Sequence, residues 1–343
     1  MKFDHEQLKK KIVRLDKAKV GISIALLSKQ ITDAARQFQK KITLPKRPYK
    51  QVIFCGMGGS ALGARFIRSV YAPWLKVPII IINGYTIPSY ADQNSLVVVC
   101  SYSGTTEEEL ACFTEARKRK LPFFVLTMGG TLAKRAKQYR TPAFIFTPTF
   151  NPSKQPRIGS GYLITGFFLS LKARGLLKSG YEDLVAASKK AIIDPGAAAK
   201  LAFELHEKSL VIIGAEFLEG NAHILSNQMN ETAKIFAPHF YLPELNHHLL
   251  EGFGSLKSSK RHWTVLMLSS DLYSEKVRTR VAITQKVLEK QGFKVCRIRY
   301  TGSRVAQALR VLSFGSWLSY YCGILSGYRP DAIPWVDYFK KQL

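Results

Sequence analysis

The sequence predicts an α/β protein of two doubly wound parallel-sheet domains, and three observations carry that reading. Apolar strand-like runs alternate with helix-periodic segments in both halves of the chain, the pattern of parallel sheets joined by crossover helices. Two of these runs end in turns rich in glycine and serine. A length of 343 residues with 46% hydrophobic content suits two cores better than one.

In the first half, Gln51–Cys55 reads as a strand, 61–71 as a helix, 77–82 and 96–100 as strands, 106–119 as a helix and Phe123–Thr127 as a strand. A short basic helix over 131–139 and an apolar run over 143–146 complete a sheet of about five strands. Residues 147–153, with Pro148 and Pro152, read as a loop, and Pro156-Arg157 closes it before a long apolar helix over 158–177. The second half repeats the plan, with strands at 210–213, 264–269 and 293–298 and helices at 219–235, 274–291 and 304–325. The duplication is architectural rather than textual, because the hydroxyl-rich turns do not recur in full.

Ser101-Tyr102-Ser103-Gly104-Thr105-Thr106 is the most informative stretch. Small hydroxyl side chains and a glycine at the end of a buried strand leave room for an anion, and the helix that follows aims its free N–H groups there. Glu107, Glu108 and Glu109 fill the first helical turn, where negative charge suits the helix dipole. A second such loop, Gly56-Met57-Gly58-Gly59-Ser60, follows the strand Gln51–Cys55. A glycine turn with no ligand gives the same pattern. Two of them in one parallel sheet, whose ligands gather outside the carboxyl ends of the strands, favour a phosphate seat.

Chemistry-bearing residues are fewer. Glu231, in Asn230-Glu231-Thr232-Ala233-Lys234, is either a carboxylate near the buried side of its helix or a surface partner of Lys234 at i+3. His247 and His248 follow Pro243-Glu244-Leu245-Asn246 in or near a turn, and spacing does not choose which imidazole is capped or buried and which is solvated. His239, Glu244, His247 and His248 lack the H-E-x-x-H spacing, so no metal is expected. Arg157 stands where a guanidinium faces a phosphate or a developing oxyanion, or simply solvent.

Composition narrows the function classes. The net charge of +27 is spread over short runs such as 9–11, 118–120, 189–190, 257–261 and 340–341, without a recognition-helix, RRM or zinc-finger signature. Specific nucleic-acid binding is therefore not expected, although the field favours approach of a small anion. The five cysteines, an odd number with no C-x-x-C pair, read as buried thiols. The best apolar run, 311–325, is interrupted by serines, glycines and tyrosines, so no membrane span is expected. The charged N-terminus lacks the form of a signal peptide, and a cytoplasmic location is expected.

The ordered set G-M-G-G-S, S-Y-S-G-T-T-E-E, T-M-G-G-T-L-A, P-R-I-G-S-G-Y-L, N-E-T-A-K and P-E-L-N-H-H resembles the bifunctional phosphoglucose/phosphomannose isomerases, from Gln51 to the C-terminus. The resemblance implies two sugar isomerase (SIS) domains of flavodoxin-like form. It divides the chain into a helical extension over 1–50, a phosphate-binding SIS domain over 51–155, connecting helices over 156–195 and a second SIS domain with the C-terminal catalytic segment over 196–343. It implies interconversion of glucose 6-phosphate and fructose 6-phosphate, extending to mannose 6-phosphate, by a homodimer that needs no cofactor. By the same resemblance Gly59, Ser60, Ser101, Ser103 and Thr106 hold the sugar phosphate and Arg157 steadies the enediolate. Glu231 carries the proton between C1 and C2, His247 assists ring opening, and the family's C-terminal lysine falls on Lys340.

The sequence departs from the family at Ala61-Leu62-Gly63-Ala64-Arg65, at His248 and at Arg329-Pro330-Asp331-Ala332-Ile333-Pro334, a stretch without the hydroxyl tied to discrimination at C2. SIS modules also serve as sugar-phosphate sensors, which keep the phosphate loops while their acid-base residues drift. Retention of Glu231, His247 and Lys340 favours the enzyme.

Overall fold

The computed structural model describes residues 4–38, 47–191, 193–256 and 260–342; the first three residues of the basic run at 257–261 lie outside the described residues. The chain divides into two compact units, Leu26–Lys190 and Met1–Ala25 with Ala191–Leu343.

The first unit contains strands β1 (Gln51–Cys55), β2 (Ile79–Ile82), β3 (Ser95–Cys100), β4 (Phe123–Thr127) and β5 (Ala143–Ile145). They form one parallel sheet in the order β2-β1-β3-β4-β5. Every residue of β3 is buried, as expected of a central strand covered on both faces, and its Val97-Val98-Val99 core suits a pleated, crowded surface. The helix Ser160–Ala173 is buried almost all round and packs on the helices Leu27–Phe38 and Gly58–Val70. That is why its sequence is apolar on every side rather than on one stripe.

Strand order reverses between β1 and β3, so the crossover from β1 leaves on one side and that from β3 on the other. The register pairs Cys55 with Val99, which ends both strands at one level and sets the loops after them side by side.

The second unit contains β6 (Ser209–Ala215), β7 (His239–Leu242), β8 (Trp263–Ser269) and β9 (Lys294–Arg299), parallel in the order β7-β6-β8-β9. The order repeats that of the first four strands of the other sheet, so the expected two parallel-sheet domains are borne out. Two local features differ from the sequence reading. Strand β7 was not expected, since it is short, lies at the sheet edge and is bracketed by Pro238 and Pro243. The helix read over 219–235 instead comprises an α-helix, Glu219–Gln228, and a π-helical turn, Met229–Ala233, stopped by Lys234 in the left-handed region (φ 58°).

The N-terminal helix His5–Leu15 belongs to this second unit. Lys11 Nζ donates to the Leu325 carbonyl at 2.7 Å, and the Tyr320 hydroxyl donates to Asp16 Oδ2 at 3.0 Å. No helix among the described residues is long and apolar enough to cross a membrane.

Candidate active site

The two hydroxyl-rich loops of the first unit meet as the strand order requires. Ser60 joins them directly: its Oγ accepts from the Tyr102 amide at 2.9 Å, and its carbonyl accepts from Cys100 Sγ at 3.4 Å. Ser101 Oγ lies 2.9 Å from Thr106 Oγ1 and accepts from the Gly104 amide at 3.0 Å, while Ser103 Oγ lies 3.0 Å from Thr105 Oγ1. The helices beginning at Gly58 and Glu107 have no side-chain cap at Met57 or Thr106. No N-cap side chain engages their first-turn amides, although the Ser60 amide donates to the Met57 carbonyl at 2.9 Å.

A third loop braces this pair. Gly104 has φ 74°, a left-handed conformation that glycine adopts without strain, and a Cβ there would collide with the Gly129 carbonyl. The Leu132 amide donates to the Gly104 carbonyl at 2.8 Å and the Met128 amide to that of Tyr102 at 3.1 Å. Thr127-Met128-Gly129-Gly130 therefore serves as backing for the hydroxyl loop.

Arg157 is brought to the same end of the sheet. A Cβ at Gly59 would stand 3.0 Å from the Arg157 amide nitrogen, so the missing side chain lets the Pro156-Arg157 backbone lie on the first loop. Arg157 is 1% exposed, and its Nη1 donates to Gln155 Oε1 at 2.9 Å. A polar network that sequence reasoning missed fixes this segment: Asn151 Nδ2 donates to the Tyr102 hydroxyl at 2.7 Å and to the Gln155 carbonyl at 3.1 Å. Burial raises the Tyr102 phenol to about 12. Tyr102 carries no spacing signal of its own, since a buried tyrosine reads like any apolar residue. Gly59, Ser60, Ser101, Ser103, Thr106 and Arg157 are thus gathered at one switch point.

The equivalent point of the second unit is bridged by a carboxylate. The loops after β6 and β8 meet there, and Glu216 from the first accepts from the Ser274 amide at 3.0 Å and hydroxyl at 2.6 Å, at the start of the helix Glu275–Lys290. A carboxylate of the chain itself sits at that helix N-terminus.

Glu231 lies in the π-helical turn, half-buried, beside Lys234, whose Nζ donates to the carbonyls of Thr232 at 3.3 Å and Arg329 at 2.8 Å. Such turns are inserted into helices at an energetic cost and are frequent at functional sites, which marks Glu231 independently of its sequence motif. His247 and His248 are exposed in the helix Leu245–Gly252, just past a cis Leu242-Pro243 bond. His248 Nε2 is 3.9 Å from Glu244 Oε1.

Glu231 and His247 are not brought together within the unit. Asn230 Nδ2 reaches the Ala237 carbonyl, ahead of the amino end of β7, whereas His247 follows its carboxyl end. At about 3.3 Å per residue the strand between them spans more than roughly 10 Å. Lys340 ends the exposed helix Pro334–Lys340, among the solvent-facing Trp335, Tyr338 and Phe339.

Residues 195–343 match the bacterial phospho-glucose isomerase C-terminal SIS domain. Along most of its length the chain is 28% identical to the bifunctional phosphoglucose/phosphomannose isomerase of Aquifex aeolicus, over 86% of this chain and 91% of that one. It is 27% identical to the protein of the same name from Thermoplasma volcanium, over 90% and 95%. The chain is similar to this isomerase family over most of its length. Solved structures agree at the level of the fold. The C-terminal domain of glucosamine-fructose-6-phosphate aminotransferase from Francisella tularensis superposes with a TM-score of 0.66 at 13% identity, covering 91% of this chain and 96% of that one. Tagatose-6-phosphate ketose/aldose isomerase from Escherichia coli gives 0.61 at 15%, covering 94% of each.

Proposed function

We propose that the protein is a phosphosugar isomerase that interconverts glucose 6-phosphate and fructose 6-phosphate, and mannose 6-phosphate as well. The observation that carries this is the hydroxyl-lined switch point of the first unit, with the Pro156-Arg157 backbone held against it. The phosphate is assigned to Gly59, Ser60, Ser101, Ser103 and Thr106. Held there, it supplies binding energy that positions C1 and C2.

His247 and Lys340 are assigned to ring opening, one group giving a proton to the ring oxygen while the other takes one from the O1 hydroxyl. Glu231 then removes the proton alpha to the carbonyl, the C–H electrons form the C1–C2 double bond, and the carbonyl oxygen becomes an enediolate that Arg157 stabilises. Transfer of the hydroxyl proton from one oxygen to the other, with return of the carbon-bound proton to the other carbon, completes the exchange of aldose and ketose. No redox change occurs, so the reaction requires no electron carrier.

Because Glu231 and His247 of one copy lie beyond opposite ends of β7, their joint action on one sugar calls for two copies of the chain. The reading is therefore of a homodimer, a form common among soluble enzymes, working in the cytoplasm.

The test is a coupled assay with fructose 6-phosphate, reading glucose 6-phosphate and mannose 6-phosphate separately, on the purified protein and on Glu231→Gln. The native protein should turn over. The variant should lose roughly a hundredfold or more in kcat with binding retained, since the amide keeps the shape without a usable base. Binding without turnover in the native protein would point instead to a sugar-phosphate sensor.

A further inference from the structure

Glu109 is 1% exposed in the first turn of the helix that follows the hydroxyl loop, and neither carboxylate oxygen has a hydrogen-bond partner. Thr106-Glu107-Glu108-Glu109 has capping-box spacing, in which this glutamate would turn back to the N-cap amide and be satisfied. That bond is not made. Burying a carboxylate without partners is costly enough that native proteins seldom do it, so the exception calls for a cause.

Its surroundings locate it. Its own backbone amide, then the Met57 amide from the loop after β1 and the Thr106 hydroxyl from the loop after β3, are the neighbouring donors that favour its ionised form. Glu108 is the neighbouring charge on its own helix. From the sheet, the thiols of Cys55 and Cys100 feel its charge, and Cys112 of the same helix lies beside Cys55. Burial raises the carboxyl to about 7.

Donors from both halves of the phosphate seat thus face a buried acid that does not complete a bond with them. A phosphate dianion seated by these loops would draw on the same donors, and two like charges sharing one low-dielectric region cannot both stay ionised. Resting on the reading of these loops as the phosphate seat, we propose that Glu109 makes it a proton-linked anion site, which accepts the dianion while Glu109 is neutral and rejects it when Glu109 is ionised. The neutral acid keeps an O–H donor for the anion or the loop backbone.

Inorganic sulfate is the right probe, because it remains a dianion across the neutral range whereas a sugar phosphate titrates there itself. Calorimetry of sulfate binding to the full chain, in two buffers of different ionisation enthalpy, should show the Kd rising about tenfold from pH 6 to pH 8, with uptake approaching one proton per sulfate at the upper end. Glu109→Gln should flatten that profile, and Ser103→Ala should weaken sulfate at every pH. A native Kd that stays constant over this range, with sulfate still competing against fructose 6-phosphate, would overturn the role of Glu109 and leave the phosphate seat standing. Sulfate binding indifferent to Ser103→Ala would remove the seat itself, and this proposal with it.

Discussion

The Glu216 carboxylate is bonded to both the amide and the hydroxyl of Ser274, at 3.0 and 2.6 Å, at the helix N-terminus of the second sheet's switch point. The same topological position in the first unit is left to hydroxyls. Two sheets of one strand order thus differ at the same point, where one sets a carboxylate of the chain against the residue that opens the helix and the other sets hydroxyls.

Glu216→Ala should therefore destabilise the second unit by about 1 kcal/mol, the usual worth of a lost helix cap. Thermal unfolding read against the native protein measures it. A stability unchanged within error would mean that Glu216 contributes no cap in solution.

Gly104→Ala should cost several kcal/mol, on the order of 3 or more, because the new methyl meets the Gly129 carbonyl and the backbone is already in the left-handed region. Fructose 6-phosphate binding should be lost even where the variant folds, since the hydroxyl loop and its backing must separate. Chemical denaturation and a binding isotherm on the same sample would report both effects.

Ser60→Ala and Ser103→Ala should differ in kind. Ser60 Oγ accepts the buried Tyr102 amide, so its removal strands a donor and costs roughly 1–3 kcal/mol of stability besides weakening substrate. Ser103 bonds at the exposed lip of the loop, and its loss should raise KM with little change in melting temperature. Equal destabilisation by the two variants would contradict this division.

Stability should fall as pH rises from about 4.5 to about 7, because Glu109 binds its proton more tightly folded than unfolded across that window. The full effect approaches roughly 3 kcal/mol above the window and vanishes below it. Glu109→Gln should consequently raise the melting temperature at pH 8 and leave it nearly unchanged at pH 4. The reverse order would show that the carboxylate finds partners in solution.

Much of this molecule is legible along the chain. Strand and helix periods are local properties, so the two parallel-sheet domains, the helix that follows each hydroxyl loop and the loops themselves can be read from neighbouring residues. Strand β7 escapes that reading because four edge residues between prolines carry too short a pattern, and the π-helical turn at Glu231 escapes it because one extra residue in a helix leaves no mark on composition. Tertiary structure alone decided which loops meet. Register puts Ser60 against Tyr102 across forty-two positions of sequence, Gly59 against Arg157 across nearly a hundred, and Glu216 against Ser274 in the second sheet. It also sets Glu231 and His247, close in sequence, beyond opposite ends of one strand. Sequence specified the groups the chemistry needs; which of them share a site depends on strand order and the direction each strand runs, and these emerge only when the sheets assemble.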